Sequence, residues 1–223
     1  MIAQEYNLKD IFSFILVIFL SVLTVNAEQA PAEQSPNTDN IKWEQQISNP
    51  DDPAELVKVK WEAMVKVIEA GELELDQKNQ LIDKIVDPIF DYSLMSKLAL
   101  GKKNWGKLSD QQKDEYTKLF IQRMKTSYRQ KMSLFDKRQE SVFLPIVENK
   151  SSVEVPMELV SEDAKMKILY KLRKLEAGWK IYDVELEGVS IVLTYRSQFD
   201  DLLSHGSVDE FLAQLKLPEK TES

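Results

Sequence analysis

The spacing of apolar residues changes twice along this chain. It is helical up to about residue 135, alternating through the middle, and helical again after residue 190. Asp52 can cap a helix that has Pro53 at its first position and Glu55 in its first turn. Val57, Trp61, Met64, Val65 and Ile68 share one face of it, and it ends near Gly71. A second helix over 76–86 is stopped by Pro88. Residues 91–100 read as a short helix with Leu94, Met95, Leu98 and Ala99 inside and Gly101 at its end. Ser109 and Gln112 form a capping box for the longest helix, on which Tyr116, Phe120, Met124, Tyr128 and Met132 follow at intervals of four.

Four strands come next. Residues 142–147 include Pro145, which cannot donate to a ladder, so this segment reads as an edge strand. Residues 153–159 and 166–172 alternate strictly, each with one apolar face, and 179–186 carries Ile181, Val184 and Leu186. The short polar connections at 149–152, 162–164 and 176–178 predict antiparallel hairpins. Gly188 then allows a corner, Ser190 caps a helix beginning at Ile191, and Ser207 with Glu210 makes a capping box for residues 208–215 before Pro218. Helices, then a four-stranded antiparallel meander, then helices define an α+β fold.

A length of 223 residues with 43% hydrophobic content suits one domain with a full core. The apolar run 11–25 is 15 residues long, short of the roughly 20 that span a bilayer, and Val25-Asn26-Ala27 supplies small residues at a cleavage site. Residues 1–27 therefore read as a secretory signal peptide, 28–50 as a flexible polar leader, 51–217 as a single domain and 218–223 as a tail. The absence of cysteine excludes disulfides and thiolate chemistry. Net charge is −8, or −7 without residues 1–27, which argues against nucleic-acid binding. Two basic runs, 113–138 and 165–174, are candidates for contacting acidic partners or lipid head groups.

No phosphate loop, zinc spacing, nucleophile elbow or dinucleotide fingerprint is present. His205, the single histidine, reads as a surface residue near a helix end. Asp183, Tyr182, Tyr195 and Arg196 flank one corner and could form an acid/base site, though such residues at a strand-to-helix turn are more often a hydrogen-bonded brace or an ion pair; the competing reading is a hydrolase or isomerase on an α+β cone using Asp183 or His205. One sequence does not distinguish a filled core from a cavity behind the apolar faces.

Two stretches resemble a known family. Residues 179–199, WKIYDVELEGVSIVLTYRSQF, are similar to the signature of the MlaC family, soluble phospholipid carriers of the maintenance-of-lipid-asymmetry pathway, also described as toluene-tolerance proteins. Residues 90–120, FDYSLMSKLALGKKNWGKLSDQQKDEYTKLF, resemble the family's segment in which a Leu-Gly pair precedes a Trp and a Gln-containing helix start. Thr194 departs from the pattern, standing where Asn is expected before the Tyr-Arg pair.

The resemblance implies helices packed around a curved, mainly antiparallel four-stranded sheet that encloses an apolar cavity for acyl chains. Its lining would come from Leu98, Phe120, Met124, Tyr128, Val153, Val155, Met157, Met166, Ile168, Tyr170, Ile181, Val184, Val192, Tyr195 and Phe199, with Met132 beside them. It also implies a monomeric periplasmic carrier without enzymatic activity or cofactor, whose cargo is phospholipid. Its partners would be an inner-membrane ABC transporter complex with an MCE-domain protein and an outer-membrane lipoprotein-porin complex.

Overall fold

Aspartate and proline open the first helix as their chemistry demands: the Asp52 carboxylate accepts from the Glu55 N–H at 2.8 Å, and Pro53 begins α1, Pro53–Glu69. The computed structural model describes residues 49–132, 140–161 and 165–216, all within one compact unit, Ile41–Leu217. The signal peptide, all but the end of the leader, the side chain of Met132, the 162–164 connection and the tail lie outside the described residues.

Helix α2, Leu75–Val86, opens where Gln77 accepts from the Glu74 N–H, and passes into a 3₁₀ turn, Asp87–Ile89. Helix α3, Tyr92–Trp105, is capped by Asp91. It does not stop at Gly101. That residue has φ 73° and ψ 154°, a conformation closed to side chains, and the helix breaks there and resumes for one more turn. The Ser109–Gln112 box forms and starts α4, Asp110–Met132.

Among the described residues the sheet has six strands rather than four: β1 (Glu140–Phe143), β2 (Val147–Glu148), β3 (Val153–Val160), β4 (Lys165–Leu175), β5 (Gly178–Leu186) and β6 (Val189–Ser190). The order is β1-β3-β4-β5-β6, antiparallel throughout, with β2 also on β3. Pro145 is the reason for one extra strand, because it splits the edge segment into β1 and β2. Pro156 sits in β3 beside that split, where its carbonyl accepts from the Leu144 N–H at 3.0 Å, so its missing donor falls where the partner ladder is already interrupted. The other extra strand follows a hairpin turn in which Glu187 (φ 51°) and Gly188 (φ 78°) are both left-handed, the pairing that suits a two-residue loop.

Helix α5, Ile191–His205, starts on the Ser190 cap, and α6, Val208–Lys216, follows the Ser207–Glu210 box. Two apolar clusters result. One lies between the α1–α2 hairpin and the sheet, and the other lies among α3, α4, α5 and α6, with Phe90 and Ile191 packed against both.

Candidate functional site

The ladder register gathers one apolar sheet face. Val153, Val155, Met157 and Leu159 of β3 stand opposite Leu172, Tyr170, Ile168 and Met166 of β4. On β5 the same face carries Ile181, Val184 and Leu186. Ile181 and Val184 are three apart, an odd spacing for one face of a strand. A bulge supplies the reason: Leu172 pairs with Ile181 and Lys171 with Asp183, leaving Tyr182 as the extra residue.

Covering this face are Leu56, Val57, Met64 and Val67 of α1 with Ile82, Ile85 and Val86 of α2, all buried in the same cluster. These helix residues are absent from the lining set drawn from the sequence. Their three- and four-residue spacing signalled a buried face but not which surface it would meet.

The lining candidates divide between the two clusters. Val153, Val155, Met157, Ile168, Ile181 and Val184 are buried under the hairpin, with Tyr128 and Tyr170 partly buried at its margin. Burial pushes the phenols of both tyrosines up, and the Asp83 contact adds to it for Tyr128. Phe120, Met124, Val192, Tyr195 and Phe199 lie in the helical cluster, with Leu98 at its edge. There the rings of Tyr116, Phe120, Phe199 and Phe211 are 5.2–6.5 Å apart, most of them edge to face. Met166 is 37% exposed at the start of β4, opposite Leu159.

Polar clasps hold both ends of the hairpin. At the start of α1, Lys174 pairs with Asp51 at 2.8 Å and Trp179 donates to the Asp51 carbonyl at 2.8 Å. At the end of α2, Asp83 receives Lys125 (3.2 Å), Tyr128 and Arg129, while Asp87 receives Lys125 and the Tyr92 hydroxyl (3.0 Å). Burial alone would raise the Asp83 carboxyl, but the bonds from Tyr128, Arg129 and Lys125 outweigh it and hold it below its ordinary value.

Several bases of the two basic runs are engaged within the chain itself. Lys113, Lys125 and Arg129 each engage a carboxylate of this chain, and Arg123 bonds the Gln214 and Leu215 carbonyls. Lys165, Lys171, Arg173 and Lys174 pair with Glu158, Glu185, Asp91 and Asp51.

Asp183 braces the strand-to-helix corner. Its buried carboxylate accepts from the Ser190 hydroxyl (2.7 Å) and from the N–H groups of Val184 (2.9 Å) and Val192 (3.3 Å). His205 is exposed at the far end of α5, a 15-residue helix about 22 Å long, so the two cannot share a proton. Thr194 forms a local bond, its hydroxyl donating to the Ser190 carbonyl at 2.8 Å.

The two stretches that carry the resemblance meet in space: the Arg196 guanidinium lies over Gly101, and Asn104 donates to Asp200, the residue that follows the second stretch. Fold and site together define a class of α+β proteins in which a helical hairpin covers one apolar face of a curved antiparallel sheet. Residues 58–217 match the MlaC protein family, and the chain belongs to it. Among solved structures it is similar to a phospholipid-binding protein from Ralstonia solanacearum, solved in complex with a phospholipid. The two share 22% identity with a TM-score of 0.66, over 74% of this chain and 95% of that one. No curated protein matches. Among the described residues, no helix is long and apolar enough to cross a membrane.

Proposed function

We propose that this chain is a periplasmic phospholipid carrier. It shuttles glycerophospholipid between an inner-membrane ABC transporter complex with an MCE-domain protein and an outer-membrane lipoprotein-porin complex, and so maintains outer-membrane lipid asymmetry. Family membership and the fold shared with a protein solved with phospholipid support this reading. The observation that carries it is the interface between hairpin and sheet, where two separate elements meet largely through apolar side chains.

At roughly 0.8 kcal/mol per methylene, two acyl chains with about 30 methylenes would lose on the order of 24 kcal/mol if left in water. A carrier must therefore enclose both tails. Tails entering between hairpin and sheet replace apolar contacts with apolar contacts, so the exchange is near neutral and partner affinity sets its direction. No bond is made or broken. Asp183 is committed to the corner and His205 stands apart, which favours a carrier over a hydrolase.

Solvent extraction of the natively purified protein followed by mass spectrometry tests the proposal. About one phospholipid per chain is expected, and a lipid-free protein that also takes none from vesicles would contradict it.

A further inference from the structure

The two helices of the α1–α2 hairpin are tied to each other. Lys78 on α2 donates to the Ile68 carbonyl on α1 at 2.9 Å, joining the two helices to each other. The connection between them includes Gly71, whose absent Cβ would meet nothing within 4 Å. What the hairpin presents to the sheet is mainly apolar, the buried Lys60 of α1 excepted, and what fastens its far end to α4 is polar: two carboxylates on the α2 side, Asp83 and Asp87, against Lys125, Tyr128 and Arg129. Tyr92 of α3 closes the group by donating to Asp87.

The two kinds of contact respond differently to lipid. Apolar side chains that leave the sheet are met by acyl chains, so parting costs little once a tail enters. The carboxylates have no such substitute in a lipid tail and regain partners only from water, with a small net loss per bond. The Asp51–Lys174 pair at the other end is largely exposed and weak, so resistance to opening is concentrated at the more buried cluster around Asp83. We propose that Asp83 and Asp87 with Lys125, Tyr128 and Arg129 form a latch that sets how fast the hairpin opens to admit or release phospholipid. This inference rests on the carrier reading above.

The test uses the full chain loaded with pyrene-labelled phosphatidylethanolamine and an excess of phosphatidylcholine vesicles, which carry no net charge to bias association. Asp83→Asn should keep the wild-type ratio of lipid to protein yet release lipid at least about five-fold faster, because charge-assisted bonds are weakened. Glu115→Gln, which breaks the 2.7 Å pair with Lys216 between α4 and α6, should leave the rate unchanged.

The natural chain has no cysteine, so Asp83→Cys with Arg129→Cys can be joined selectively by a short bis-maleimide. Linking should slow release about ten-fold or more relative to the same variant unlinked. Release at the wild-type rate from Asp83→Asn, or equal rates with and without the linker, overturns the latch. If Asp83→Asn does not fold, the linker comparison decides alone. A wild-type chain that takes up no labelled lipid overturns the carrier reading itself, and the latch with it.

Discussion

Replacing Gly101 with alanine separates two reasons for a glycine at that position. At φ 73° and ψ 154° an L-residue is strained by roughly 1–3 kcal/mol. The new Cβ would also lie 2.9 Å from Nε of Arg196, but that is the end of a long, exposed side chain that can swing aside. The backbone term should therefore dominate, and Gly101→Ala should cost about 2 kcal/mol. For a domain of this size that is a fall in Tm of roughly 4–8 °C. Arg196→Ala alone should change stability by no more than about 0.5 kcal/mol, and the double variant should stay nearly as unstable as Gly101→Ala. Calorimetry of the three variants reads this directly. Full recovery of Tm in the double variant would refute the reasoning, showing that the glycine is needed to seat Arg196 and not for its own backbone.

Other outcomes follow from the same geometry. Ile168→Glu places a carboxylate between Met157 and Leu186 on the covered face; with water admitted in place of tails, the variant should keep near-native circular dichroism but little extractable phospholipid, while Lys167→Glu retains it. A folded Ile168→Glu protein with a full lipid complement would remove this face from the site. Asp83 has a folded-state pKa below its unfolded value, so its stabilisation is present above about pH 4 and is lost as pH falls through the folded value. The gap in urea midpoint between wild type and Asp83→Asn should thus be constant from pH 5 to 8 and narrow as pH falls below about 4; a gap that does not narrow with acid, or that widens, would contradict it.

Local chemistry was legible in the residues. Asp52, Ser109 with Gln112, and Ser207 with Glu210 cap where their spacing says they should, and β3 buries 153, 155, 157 and 159 in strict alternation. What escaped the sequence is set by partners distant in the chain. Period four on α4 names a face but not its neighbour. Tyr116, Phe120 and Met124 meet α5 and α6, whereas Tyr128, one turn further on, reaches the hairpin cluster. Arg129 looked like a free cation until Asp83, 46 positions away, was placed beside it. The bulge at Tyr182 depends on pairing register, and the left-handed Glu187 on a turn whose glycine alone seemed sufficient. Alternation also carried Met166 onto the covered face without showing that the cover ends before it.

Phospholipid bearing a diazirine near the end of one acyl chain, loaded into the protein and photolysed, tests most directly whether the tails lie between hairpin and sheet. Peptide mapping should find the label on residues of that cluster, Val67, Ile85, Met157 and Ile168 among them. Label confined to the aromatic cluster of Phe120, Phe199 and Phe211, or scattered over exposed residues, would contradict the account.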